Sequence, residues 1–130
     1  MTQFSTRILS LNINGLNSPV KRQKVMTKLK KDRSLIIFLQ ETHLSSQESE
    51  KLKRFGYTNS FYSSFRHGCR RGVIILIPNS VKFECVKKIC DKEGRFIIVK
   101  GKLENEMVTL VNVYAPPNSP KQFFTTYLTL

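Results

Sequence analysis

Along this chain the apolar and polar positions fall into short runs that outline its elements. Ile8, Leu9, Leu11 and Ile13, interrupted by Ser10, predict a strand over about 7–13. Ser18 and Pro19 form an N-cap and first-turn pair. The helix they open, about 19–31, sets Val20, Val25, Met26 and Leu29 on one side. Lys21, Arg22, Lys24, Lys28, Lys30 and Lys31 cover the rest. Residues 35–40 begin with the unbroken run "LIIFL", as in a strand buried on both faces. A strand–helix–strand unit of this length implies a parallel pair.

A second, short helix is expected at about 46–55, ending at Gly56. From there the pattern changes to closely spaced strands at about 58–65, 72–77, 81–90, 95–103 and 107–114. "RHGCRRG" and "KEGR" supply turns between them. The order is βαβα followed by antiparallel strands, so the fold class is α/β with a mixed sheet rather than a Rossmann alternation. At the end, Phe123, Phe124, Tyr127 and Leu128 suggest an amphipathic helix that stops soon after it starts.

The 130 residues suit one domain. No apolar run approaches the ~20 residues of a membrane span. The N-terminus lacks the apolar core of a signal peptide, so an intracellular chain is expected. Charge changes the picture most: 22 Lys and Arg stand against 9 Asp and Glu, a formal net of +13. Such a field draws polyanions, with nucleic acid the leading partner and an anionic membrane surface the second. The plain alternative is a surface tuned for solubility. Cys69, Cys85 and Cys90 are odd in number and lack a C-x-x-C pair. They argue against a disulfide framework or zinc ribbon, and are expected to be reduced filler in or near the core.

Polar residues end three of the apolar runs. Asn12 and Asn14 close the first, although asparagine is disfavoured in strands. Gln40, Glu41 and Thr42 close the second. Tyr114 closes Val108–Val113, a run that Asn112 interrupts. Ligands of α/β sheets bind beyond the C-terminal ends of parallel strands. If the first two strands are parallel, Asn12, Asn14 and Glu41 emerge on one edge. A carboxylate with amide oxygens is a donor set for Mg²⁺. Taken alone, Glu41 reads equally as a loop-entry carboxylate, and Tyr114 as a rim aromatic. A phenol there could instead donate to a phosphate oxygen, or carry a proton if its pKa were lowered.

"LNINGLNS", "LQETHL", "DKEGRFIIVKG" and "LVNVYAPPNS", in this order, resemble the N-terminal half of the endonuclease/exonuclease/phosphatase superfamily. The similarity is closest to the endonuclease domain of L1-type retrotransposons; AP endonucleases and exonuclease III are more distant. The resemblance implies the N-terminal half of a four-layer, DNase I-like α/β sandwich, with a mixed sheet and helices on one face. It implies Mg²⁺, with Mn²⁺ as substitute, held by Asn12 and Glu41. Tyr114 would be the catalytic residue at the scissile phosphate, with Asn14 and Asn118 near phosphate or substrate. DNA would be the partner, with the reverse transcriptase module of a parent element beside it, in the nucleus. The later "GDxN" and "SDH" motifs occur nowhere in the chain. Residues 1–130 are therefore expected to be a partial domain, inactive alone, supplying about one sheet whose second face lacks a packing partner. A basic nucleic-acid-binding module without catalysis is the first alternative, and a phosphatase branch of the same superfamily the second.

Overall fold

Among the described residues, apolar runs flanked by glycine and asparagine turns become seven strands, two α-helices and a 3₁₀ turn. The computed structural model describes residues 6–33, 35–68 and 70–115. β1 (Arg7–Asn12) and β2 (Leu35–Gln40) are parallel, joined through α1 (Pro19–Leu29). The unbroken runs of β2 and β4 (Val73–Ile77) occupy the middle of sheet 1, whose order is β1-β2-β4-β3. β4 runs antiparallel to both β2 and β3 (Asn59–Ser63). Ile36, Ile37, Leu39, Val73, Ile75, Leu76 and Ile77 are wholly enclosed, as expected for strands covered on both faces.

One face of sheet 1 packs on the helical side. Leu16, Met26, Ile37, Leu39, Leu52, Tyr57 and Leu76 share this core. Ser18 caps α1 by accepting from the Lys21 amide. The predicted stripe of α1 is partly corrected: Val20 is 64 % exposed, whereas Arg22 is buried. Arg22 satisfies its guanidinium at Leu16 O (3.0 Å) and Glu48 Oε2 (3.0 Å), which lets a charged group replace valine on the inner face. The second helical segment fills the expected 46–55 and stops at Gly56, but is α only in its first half. α2 (Ser46–Glu50) opens with a capping box between Ser45 and Glu48, then tightens to a 3₁₀ turn at Lys51–Phe55.

The other face of sheet 1 is also covered, and the expectation of about one sheet with a bare face is corrected. Both edges of β4 are occupied, by β2 and β3, so the chain after it cannot extend sheet 1 from β4. It instead starts a second sheet, β5 (Phe83–Cys90), β6 (Phe96–Leu103) and β7 (Glu106–Val113), in meander order. Ile36, Phe38, Phe61, Ile75 and Ile77 of sheet 1 pack there against Phe83, Ile97, Val99 and Leu110 of sheet 2. Phe61 and Phe83 meet edge to face, with ring centres 5.7 Å apart. The overall class, a mixed sheet layered with an antiparallel one and few helices, is the DNase I-like arrangement anticipated. Cys85 and Cys90 are free and exposed on edge strand β5 rather than core filler; Cys69 lies outside the described residues, as does the expected C-terminal helix. No helix among the described residues is long and apolar enough to cross a membrane.

Candidate active site

β1 and β2 end together, with Asn12 opposite Gln40 in the parallel register. Beyond the strands the two chains keep bonding: Ile13 N to Gln40 O at 3.0 Å, Gly15 N to Glu41 O at 2.7 Å, Leu16 N to Thr42 O at 2.8 Å. The neighbouring loop joins on, with Thr42 N donating to Gly72 O at 3.1 Å and His43 N to Arg71 O at 2.8 Å. Gly72 N then donates to Gly94 O at 3.0 Å, and Tyr114 N to Arg95 O at 2.7 Å. Four loops and the end of β7 thus form one laced rim.

The rim concentrates left-handed backbone. Asn14 (φ 49°), Glu41 (φ 52°), His43 (φ 57°) and Arg71 (φ 58°) all adopt it without being glycine. Such residues cost about 1–3 kcal/mol each and persist where the surroundings over-determine them, as at active sites. Asn14 bears it most easily, and its amide donates to Asn12 Oδ1 at 3.1 Å in a local turn. Lys21 Nζ donates to Ile13 O (3.1 Å) and Asn14 O (3.3 Å), adding a cation under that turn. Gly15 (φ 93°) lets the His43 ring approach: a Cβ there would sit 2.8 Å from His43 Nδ1. Gly72 (φ 97°) is equally constrained, since a Cβ would collide with Thr42 Oγ1.

Within the rim, Tyr114 Oη donates to Glu41 Oε1 at 3.1 Å, and His43 Nε2 lies 4.0 Å from the same oxygen. Burial raises the Tyr114 pKa, and the hydrogen bond to Glu41 and its charge raise it further, while the Arg71 charge opposes them. The shift favours the neutral phenol, the form that donates to Glu41. Asn12 and Asn14 stand exposed on the adjacent strand end. Asn118 lies outside the described residues.

The sequence left Asn112 unassigned, and it proves to be buried between the sheets. From β7 its Nδ2 donates to Leu39 O (3.0 Å) and Ile74 O (2.9 Å) of sheet 1. Its Oδ1 accepts from Gln40 Nε2 at 2.8 Å, and Gln40 also reaches Ser10 Oγ at 3.0 Å. This network ties the β7 end, which carries Tyr114, to the β2 end, which carries Glu41. The only sequence signal for it was a polar residue two positions before Tyr114 in an apolar run.

Among the described residues no three His, Cys, Asp or Glu side chains gather as a metal site. The candidate donors at the ends of β1 and β2 are one carboxylate, Glu41, which accepts from Tyr114, and the amide oxygen of Asn12, which accepts from Asn14 N. Hard oxygens of this kind fit Mg²⁺ as a partial set, since that ion keeps several waters and takes substrate phosphate oxygens alongside one or two carboxylates.

Residues 9–128 match the endonuclease/exonuclease/phosphatase family. The chain belongs to this family. A 149 kDa protein of transposon TX1 from Xenopus laevis is 26% identical over 115 residues, covering 88% of this chain and 9% of its own length. The endonuclease domain of TRAS1, a telomere-specific non-LTR retrotransposon, superposes with a TM-score of 0.61 at 16% identity, over 95% of this chain and 52% of that one. An AP endonuclease from Archaeoglobus fulgidus gives 0.60 at 24% identity, over 96% and 49%. The 3' phosphatase NExo from Neisseria, bound to product DNA hairpin, gives 0.59 at 23%, over 95% and 48%. The family member described here spans about half the length of these solved structures and under a tenth of the transposon protein. At these identities the structural likeness establishes the fold.

Proposed function

We propose that this chain carries half of the active site of a divalent-metal-dependent DNA phosphodiesterase of the retrotransposon-endonuclease kind. The observation that carries this reading is the Tyr114–Glu41 hydrogen bond at the C-terminal strand ends, set in a rim of left-handed backbone. The net charge of +13 supports a polyanionic substrate. The nuclease and transposon relatives support DNA as that substrate.

Glu41 and Asn12 would hold Mg²⁺, with Mn²⁺ able to replace it; the ion would offset charge on the phosphate and leaving oxygen. Tyr114, a neutral phenol, donates a hydrogen bond toward a phosphate oxygen or, without substrate, to Glu41. Asn14 and Asn118 supply amides near the same phosphate, and Lys21 adds positive charge at the Asn14 turn. The chain contains no "GDxN" or "SDH" sequence, so it lacks the residues that would orient the attacking water and contact the phosphate through histidine. General acid–base help is worth about 10²–10⁴-fold, and losing it together with the histidine donor puts residual turnover below detection. The partial domain would act beside the remainder of a longer element, including a reverse transcriptase module, in the nucleus.

Supercoiled plasmid and Mg²⁺ test the reading with three samples: the chain, its Glu41→Ala variant, and the chain lengthened by a related C-terminal half. Nicking is expected from the lengthened chain alone. Nicking by the 130-residue chain that Glu41→Ala abolishes overturns the inactive half-site. A second reading, a basic nucleic-acid-binding module without catalysis, is favoured by Glu41 being the one carboxylate at the paired ends of β1 and β2. It requires that the lengthened chain bind DNA but leave the plasmid intact. Release of phosphate from a 3'-phosphorylated strand without nicking would favour the phosphatase branch.

A further inference from the structure

Phe65, in the loop between β3 and β4, is covered by cations. Arg71 Cζ lies 4.7 Å from its ring centre and Arg70 Cζ 5.7 Å, while the His67 ring meets its edge at 5.7 Å. Stacking on an aromatic face holds a guanidinium in place and leaves its edge free for planar acceptors. The loop is part of the site rim, because Arg71 O accepts from His43 N and Gly72 O from Thr42 N. Phe65 also forms a β-bridge with Glu93, in the turn whose Arg95 O accepts from Tyr114 N. Arg71 therefore stands beside the Glu41–Tyr114 pair on the same rim.

The Arg71 guanidinium has an anionic partner. Its Nη1 lies 3.2 Å from Glu93 Oε2 and 3.3 Å from Glu93 O. Both side chains remain open to solvent, 33% and 41% exposed. An ion pair this exposed contributes little to stability. A carboxylate in this position occupies the place on the guanidinium that a phosphate oxygen would take. Purely structural clasps on rims are common, but they do not require a stacked arginine next to a site that handles phosphate.

We propose that Arg71 binds the DNA phosphate next to the one handled at Glu41 and Tyr114, and that Glu93 holds its guanidinium until that phosphate displaces it. The proposal rests on the DNA-directed reading above. Arg70, stacked on the same ring, adds to the local field. Glu93 then acts as a competitor, and removing its charge strengthens binding only while Arg71 is present.

The test uses the 130-residue chain with a fluorescent DNA duplex, anisotropy titrations without divalent metal, and salt from about 50 to 200 mM. Arg71→Gln should weaken binding about tenfold and reduce the salt slope by about one. Glu93→Gln should tighten it severalfold. Glu106→Gln, the same charge change at the far end of β7, should alter it less than about twofold, as for a charge screened by distance. In the Arg71→Gln background the gain from Glu93→Gln should shrink to the Glu106→Gln level. Arg71→Lys keeps the charge but not the planar fork, should fold if Arg71→Gln does not, and should bind with intermediate affinity. An equal gain from Glu93→Gln with and without Arg71, or Glu93→Gln binding no tighter than wild type, overturns the exchange. Wild-type binding unaffected by Arg71 changes overturns it while leaving the DNA reading intact. Absence of wild-type DNA binding at low salt overturns both.

Discussion

At the scale of single residues, the site consists of side chains whose placement costs something locally. Glu41 sits in a backbone region few glutamates adopt, and Asn112 is a polar amide in an apolar interface. Both were legible as polar interruptions at strand ends, as were Asn12, Asn14 and Tyr114. Their partners were not legible, because a hydrogen bond across 73 residues, such as Asn112 to Leu39 O, leaves no local pattern. Arg71 was visible as one charge in a basic turn, with nothing in the sequence to single it out. Asn112→Ala would remove three buried hydrogen bonds, to Leu39 O, Ile74 O and Gln40 Nε2, while Gln40 keeps Ser10 Oγ. At about 1 kcal/mol for each bond, the expected loss is about 3 kcal/mol, read from urea denaturation with an unchanged slope. Tyr114→Phe keeps the ring and removes one hydrogen bond, so its expected loss is about 1 kcal/mol. A much larger loss would mean that the Glu41 contact is structural.

At the scale of elements, β1, α1 and β2 form where periodicity placed them, within a residue or two at each end, because capping and burial agree there. The run of later strands was also legible, but their division into two sheets was not. Strand partners depend on which edges are already taken, and β4 has none left. The second helical segment covers the expected 46–55 and stops at Gly56, but only its first half is α; the capping box specifies its start, whereas the 3₁₀ form of Lys51–Phe55 depends on packing Leu52 and Phe55. Ser45→Ala removes the cap bond to the Glu48 amide and should cost about 1 kcal/mol. The β5–β6 turn carries a pH-dependent clasp. Burial acts to raise the Asp91 carboxyl, but hydrogen bonds from Arg95 and the turn amides outweigh it and hold the pKa below its ordinary 3.8. A lowered folded pKa gives stability that is present above the ordinary value and lost as pH falls through the folded one. Urea midpoints should therefore decline below about pH 4, and Asp91→Asn should flatten that decline while lowering the neutral-pH midpoint.

At the scale of the whole molecule, the excess of positive charge would set how the chain meets the DNA proposed as its partner. Affinity for duplex DNA should fall steeply between about 50 and 200 mM salt, with little preference among sequences. Anisotropy insensitive to salt over that range would contradict the electrostatic account. The two sheets come from successive stretches of chain, β1 to β4 first and β5 to β7 after. This gives the fold a direction in time. On a ribosome adding about 5–20 residues per second, all of sheet 1 is synthesised seconds before β7. Throughout that interval Ile36, Phe38, Phe61, Ile75 and Ile77 have no second sheet to cover them. A nascent chain stalled near residue 82 would present an apolar surface to water, and a release there would yield an insoluble product or one held by chaperones. The same surface becomes the dry interior of the molecule once the meander folds over it, so its exposure ends only when β7 is made.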